Sequence, residues 1–423
     1  MFERTSGTGK LIIGIDLGTE TTQLSVSRDF AEPESVSVVP NKGIYLVPTV
    51  LCVRNDTRDW IVGEEAIRCR NRNAGVFVSE LLKKVETGEM TDIFGTDYSG
   101  EALLERFIRK IYTAVHQSYL TDEITRVVVT VRNKTDAVVA AINNAFQSIG
   151  TDMNRVVVIS YMESFMYYTI SQKKELWVND VSLFDFDEEG LKYYQLSIAK
   201  KGLPITITAR GEDLSDDMDY GMLSDTVEGR LAGNFKNITD KLLYRQIVST
   251  MYFTGVGFDG NWADGIIKSL CIGRRVFKGQ NLYSKGAAYA GMIIGNEDYK
   301  DYLFLTDDQV RCTISIRMFK DNRIGEVRLV DAGMPWKRVK AKTVGIVDDT
   351  DEIFFTIFNA VRKETKHVVM NLKNLEQREN KTTRVSVGVK FLDRDTAVLT
   401  VKDLGFGEFF ENTYRIWEKV IEL

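Results

Sequence analysis

The residues best placed to do chemistry lie near the N-terminus, in Leu11-Ile12-Ile13-Gly14-Ile15-Asp16-Leu17-Gly18-Thr19-Glu20-Thr21-Thr22. An apolar run leads into a carboxylate, a glycine and hydroxyls follow, and Gln23-Leu24-Ser25-Val26 alternates as a second strand. The expectation is strand, tight turn, strand. Such a turn can offer backbone N–H groups and threonine hydroxyls to phosphate, with Asp16 placed for a hydrated cation. The same pattern also describes an ordinary hairpin closed by a glycine. A second apolar strand ends in a carboxylate at Asp180-Val181-Ser182-Leu183-Phe184-Asp185, and Thr254-Gly255-Val256-Gly257 repeats the strand-to-glycine turn.

The elements that must position these residues follow from periodicity. Leu104, Phe107, Ile108, Ile111, Tyr112 and Val115 recur at helical spacing between Glu101 and Leu120. Arg126 to Val131 is apolar after its first residue apart from Thr130, as a strand buried on both faces would be. A helix from Asp136 to Ile149, with Gly150 as its C-cap, and a strand at Val156 to Ile159 complete a βαβ unit of a parallel sheet. Pro40 to Gly43 reads as a turn before the β run ending at Val53, and Trp60 to Ala66 as strand entering helix. Glu212 to Asp219 reads as a solvated acidic loop, and Lys285 to Met292 as a helix whose small residues permit close packing. The chain thus carries two related halves, each opening on a strand that ends in Asp. Beyond residue 298, Cys312/Ile314/Ile316/Met318, Val385/Val387/Val389/Phe391 and Ala397/Leu399/Val401 alternate as half-buried antiparallel strands, until Asn412 to Lys419 reads as a helix.

Composition narrows the partners. The 423 residues are 44% hydrophobic and 27% charged, which are globular values, and the net charge of −5 offers no general attraction to nucleic acid or to an anionic membrane. No run approaches the ~18 apolar residues that span a bilayer. Met1 to Gly7 has no apolar signal core. A cytoplasmic location is the expectation. Cys52, Cys69, Cys271 and Cys312 lack metal-ligand spacing, and His116 and His367 are the only histidines, in a helix and in a strand-rich tail. Neither structural zinc nor a histidine-based triad is expected.

Taken in order, these pieces resemble the actin-like ATPase superfamily, most closely the seventy-kilodalton heat-shock chaperones of the DnaK type. Gly14 to Thr19 looks like their first phosphate loop, and Pro48-Thr49-Val50 with Gly63-Glu64-Glu65-Ala66 looks like the segment after it. Val128 to Val131, the following helix and Tyr161-Met162-Glu163-Ser164 are similar to the first connecting region. Asp185 falls at the second phosphate loop, Thr254 to Gly257 at the adenosine turn, and Gly286-Ala287-Ala288 in the second connecting helix. Tyr302-Leu303-Phe304-Leu305 looks like the apolar interdomain linker, although as bare sequence it also suits the first strand of the β domain. Arg384 to Asp403 resembles the end of a peptide-binding sandwich.

The resemblance implies an α/β actin-like (ribonuclease H-like) two-lobed ATPase fold over 1–297, with lobes of about 1–175 and 176–297, the second reduced. A linker over 298–308, a β-sandwich over 309–410 and a short C-terminal helix over 411–423 would follow. It also implies ATP or ADP and Mg²⁺ as cofactors, with Asp16, Glu163 and Asp185 around the reaction centre. Asp16 and Asp185 would hold the metal through water, and Gly18, Thr19, Glu20, Gly255 and Gly257 would contact nucleotide.

Three departures qualify this. Where the family has glycines after its second aspartate, this chain has Phe186-Asp187-Glu188-Glu189-Gly190, whose carboxylates repel polyphosphate. Glu80 stands in the best register for the catalytic lysine, with Lys83 and Lys84 a helical turn later. Asp185 and Gly255 are too close in sequence to hold the adenine-clamping subdomain. The reading favoured is therefore a chaperone-like protein that binds polypeptide or a protein partner through its sandwich and hydrolyses ATP poorly or not at all. An active Mg·ATP-dependent chaperone, with Lys83 or Lys84 replacing the missing lysine, and a scaffold subunit without nucleotide are the alternatives.

Overall fold

A computed structural model describes residues 9–38, 43–224, 229–320, 323–348, 350–376 and 378–423. The leader reading at Met1 to Gly7 and the turn at Pro40 to Lys42 lie outside them. The chain divides into two compact units, one of Met1–Leu196 with Gly211–Tyr299, the other of Ser197–Arg210 with Lys300–Leu423.

The first unit contains two mixed sheets built to one plan. In the first, Lys10–Leu17 pairs antiparallel with Thr21–Arg28 and parallel with Glu123–Val131, which pairs parallel with Val156–Ser160. In the second, Asp180–Asp187 pairs antiparallel with Gly190–Ala199 and parallel with Val248–Thr254, which pairs parallel with Arg275–Lys278. The registers match: Asp16 stands opposite Thr130 and Asp185 opposite Thr254. The βαβ crossover runs through the helix Asp136–Ile149, capped by the Thr135 side chain and ended by Gly150 at φ 85°. Leu103, Phe107, Ile111 and Phe146 bury one face of the first sheet. The second half is closed by rings, among them Phe184, Phe253, Phe235 and Phe258.

The helices Tyr161–Ser171 and Leu282–Ile293 pack together between the halves, and the latter also lies on Lys10–Leu17. Backbone approach there is close enough to require glycine. A Cβ on Gly286 would stand 2.3 Å from the Ser164 carbonyl oxygen, and one on Gly14 would stand 2.3 Å from that of Ser284. Gly14 therefore serves packing, whereas Gly18 makes the turn, its N–H donating to the Thr21 carbonyl at 3.0 Å. A small sheet of Trp60–Val62, Leu51–Arg54 and Gly75–Val78, covered by the helix Glu64–Asn71, completes the unit.

In the second unit, two four-stranded antiparallel sheets enclose Ile314, Ile316, Phe355, Ile357, Val387, Leu399 and Val401. Two boundaries differ from expectation. Residues 411–423 form no helix: Ile416–Glu422 is a strand, with Ile421 opposite Ala397 and Trp417 opposite Val401. The edge of Thr396–Asp403 offers main-chain partners there, and burial of Ile421 sets the face. The segment 298–308 is not a simple connector either. Tyr302–Leu305 is a strand in parallel register with Ile205–Thr208 inside this unit, and Thr206 donates to the Ala360 carbonyl at 2.8 Å. Main-chain pairing captures the apolar residues that suggested a linker. The acidic loop begins later than expected, since Ile205–Asp213 is a strand, and Leu214 and Met218 are buried beyond it.

Candidate functional site

The carboxyl ends of the two matching strands face one cleft of about 380 Å³ in the first unit. Asp16, Gly18, Thr19, Glu20, Asp185 and Gly255 all line it. Glu163 and Gly257 do not. Glu163 instead closes a capping box with Ser160 at the start of the helix Tyr161–Ser171, and its carboxylate also accepts from Lys134 at 2.9 Å. Gly257 packs on the Phe186 ring, where a Cβ would be 2.5 Å from Cδ1. Gly255 has φ 94° and lies against the Phe186 backbone, while Gln280 bonds both its N–H and its carbonyl at 3.0 Å. The adenosine-type turn thus reads as a close-packed corner.

At the centre of the cleft is a residue that sequence reasoning missed, Arg132. It follows the buried strand Glu123–Val131 directly and so emerges beside Asp16 and Asp185. Its Nη2 donates to Asp185 at 2.9 Å and also to Asp187, and its Nε stands 3.3 Å from a Glu189 oxygen. Its guanidinium lies 5.0 Å from the centre of the Tyr161 ring. Tyr161 and Tyr283 stack with centroids 3.9 Å apart, and the Tyr283 hydroxyl donates to Asp185 at 2.9 Å. Burial works against the Arg132 charge, and Asp185 and Asp187 outweigh it, holding the guanidinium well above its ordinary value. The available signal was a cation directly after the valine-rich carboxyl end of a parallel strand, where ligand-facing residues gather.

The acidic segment after Asp185 is shorter than a loop. Phe186 and Asp187 continue the strand, with Phe186 fully buried, and the hairpin turns at Glu188 and Glu189 into Gly190 at φ 87°. From that turn Glu189 accepts from the Thr19 hydroxyl at 2.7 Å. The two turns that would enclose phosphate are therefore bonded to each other.

Asp16 is 8% exposed, and its Oδ1 has no hydrogen-bond partner. Burial pushes its carboxyl up to about 7, against a hydrogen bond with Tyr161 that pulls it down and the Asp185 charge that pushes it further up. Asp187 is raised in the same way, by burial first and then by Asp185. Burial and the charges of Glu188, Glu80 and Glu189 raise Glu20. On the opposite rim Glu80 takes a left-handed backbone at φ 55° and pairs with Lys83 at 3.0 Å, while Lys84 turns to Glu89 at 2.5 Å. Lys83 lines the cleft with Asp16 and Asp185, its ammonium paired to Glu80, whereas Lys84 does not line it.

An Mg·ATP cofactor does not fit these residues. Carboxylates of Asp187, Glu188 and Glu189 occupy the wall where phosphate would lie, and Arg132 already neutralises Asp185 from within. Among the described residues, no three His, Cys, Asp or Glu side chains gather closely enough to hold a metal ion.

The model described as "Family of unknown function (DUF5716) C-terminal" matches residues 32–307, and "Domain of unknown function (DUF8552)" matches residues 309–423. The first match covers well over half of the chain, which belongs to the DUF5716 family. No curated protein matches. Among the described residues no helix is long and apolar enough to cross a membrane.

Proposed function

We propose that this chain is a binding protein of the heat-shock-chaperone type, in which an actin-like domain has exchanged nucleotide for an internal ion network and hydrolyses ATP poorly or not at all. One observation carries the reading: Arg132 joins Asp185, Asp187 and Glu189 inside the cleft while Thr19 bonds Glu189 across it. The fold reading is supported by the doubled plan of hairpin plus parallel strand, with Asp16 and Asp185 at equivalent ends. The cleft then acts as a structural junction of two lobes.

Binding is assigned to the β-sandwich. The strand Lys340–Ile346 lies at the edge of its sheet, paired on one side with Arg384–Asp393, and leaves Val344 and Ile346 about half exposed. An extended polypeptide can add to such an edge, with main-chain hydrogen bonds for affinity and apolar side chains for selectivity. The active-ATPase reading draws on one observation, the convergence of Asp16 and Asp185 on one cleft.

Titration with Mg·ATP, followed by calorimetry and by phosphate release, tests the proposal. The expected result is no heat and no turnover, with an extended apolar peptide still bound. Micromolar binding with turnover that Asp16→Asn abolishes would overturn it in favour of the ATPase. Silence with nucleotide and peptide alike would leave the scaffold reading.

A further inference from the structure

Outside the cleft, the small sheet and its helix Glu64–Asn71 carry a second cavity of about 320 Å³. Arg54 from the strand, Glu65 and Arg68 from the helix and Arg72 at its C-cap line it together with Cys69 and Ala74, three guanidinium groups against one carboxylate. None of these three guanidinium groups has a side-chain ion pair or hydrogen bond. Basic residues near a helix C-terminus favour its dipole, which accounts for Arg68. It does not account for Arg54, which comes from a different element and turns to the same space.

Behind Cys69 lies Cys52. The two are far apart in the sequence, yet Leu51–Arg54 and Glu64–Asn71 bring their sulfurs together against Gly75. A Cβ on Gly75 would stand 2.7 Å from the Cys52 sulfur and 2.8 Å from that of Cys69. Both thiols are free, Cys52 wholly buried and Cys69 with 6% exposure. Burial, and after it the hydrogen bond to Cys69, keeps the Cys52 thiol protonated. Cys69 is therefore the thiol that an incoming reagent meets first, and Cys52 is the partner held in reserve.

We propose that Cys52 and Cys69 are a redox-active dithiol that closes to a disulfide, and that the arginine-lined cavity admits an anionic low-molecular-weight disulfide as its oxidant. The Cys69 thiolate attacks one sulfur of that disulfide, forming a mixed disulfide and releasing the first thiolate. Cys52 then gives up its proton and attacks the Cys69 sulfur, releasing the second. Two protein thiols become one disulfide, the reagent is reduced to two thiols, and the two protons end on them. The cavity's part is electrostatic, since three guanidinium groups outnumber the one carboxylate of Glu65 and raise the local concentration of an anion in a chain that is acidic as a whole. Closure would tie the helix to the central strand of its sheet.

The test uses the full chain with Cys271→Ser, which removes the exposed cysteine, and two reagents, anionic glutathione disulfide and neutral hydroxyethyl disulfide. With glutathione disulfide the intact mass should fall by two hydrogens, with no retained adduct, and peptide mapping should join Cys52 to Cys69. Cys52→Ser should stop at a glutathione adduct on Cys69. Replacing Arg68 and Arg72 together by Ala should slow the glutathione reaction about tenfold and leave the neutral reagent's rate unchanged. A stable adduct on Cys69 in the presence of Cys52, or no reaction under conditions that oxidise a free dithiol peptide, would overturn the dithiol. Equal rates for both reagents in the parent and the arginine variant would overturn the role of the cavity. The mapping on the parent needs no cavity variant, so a misfolded substitution does not decide it.

Discussion

Arg132 Nη2 and Asp185 Oδ2 lie 2.9 Å apart, joining the end of a parallel strand in one half to the end of the first strand in the other. Their side chains are 11% and 2% exposed, so neither charge is well solvated without its partner. Arg132→Met should destabilise the first unit by about 3–5 kcal/mol, because it leaves the buried Asp185 and the partly buried Asp187 beside each other without a cation. Urea denaturation measures this through the midpoint. A midpoint within error of the parent would show that the network contributes nothing to folding. Arg132→Lys should fall between the two, since an ammonium cannot reach Asp185, Asp187 and Glu189 together.

The pH dependence of the same site has a definite sign. A carboxyl raised to about 7 in the folded protein holds a proton that the unfolded chain has already released. The Asp16 contribution is therefore largest below about pH 4, shrinks as pH rises through about 4 to 7, and is constant above. Asp187 moves in the same direction. Asp16→Asn keeps the shape and removes the proton, so stability measured from about pH 5 to about pH 8 should decline less in the variant than in the parent. The difference over this window is about 3 kcal/mol as an upper bound, since only the two pH units between about 5 and 7 fall within it. Parallel losses in both proteins would exclude a raised Asp16.

Local signals in the sequence were legible where one element determines its own ends. The helix runs from Asp136 to Ile149 and ends at Gly150 as read, and Asp16 and Asp185 line one cleft as their strand-ending positions suggest. Glycines were legible as sites of close approach but not as to what approaches: Gly14 meets a helix backbone, and Gly257 meets a phenyl ring. Arg132 was not legible, because its partners come from a hairpin more than fifty residues later and only tertiary packing aligns them. The strand Ile416–Glu422 was hidden for a related reason. Its sequence is charged at Glu418, Lys419 and Glu422, and the open edge of Thr396–Asp403 decides its conformation.

Gly14 gives a test of which role its glycine serves. A Cβ there would stand 2.3 Å from Ser284 O and 2.5 Å from Ala288 N, both backbone atoms of a helix that cannot move alone. Gly14→Ala should lower the thermal midpoint of the first unit by the equivalent of about 1–3 kcal/mol or more, with nucleotide absent. If Gly14 served only to cradle a ligand, the unliganded protein would unfold unchanged.

In the second unit Asp403 gathers the chain end. It receives two bonds from Arg378 at 2.8 and 2.7 Å, one from the Gly405 N–H at 3.1 Å, and one each from the Thr413 N–H and hydroxyl at 2.8 and 2.7 Å. Burial works to raise its pKa, and the bonds from Arg378 and Thr413 outweigh it, holding the carboxyl below the usual carboxylate range. A depressed folded pKa means that this stabilisation is complete above about pH 4 and is lost as pH falls below it. Asp403→Asn should cost about 3–5 kcal/mol at neutral pH, because Arg378, 4% exposed, is left charged without a counter-ion. Hydrogen exchange should report it as faster exchange along Thr396–Asp403 and Ile416–Glu422. The double variant Arg378→Met with Asp403→Asn should recover part of that loss, since no unpaired charge stays buried. If the double variant is as unstable as the sum of the two single ones, the pair does not act through charge, and the hydrogen bonds to Gly405 and Thr413 hold the segment instead.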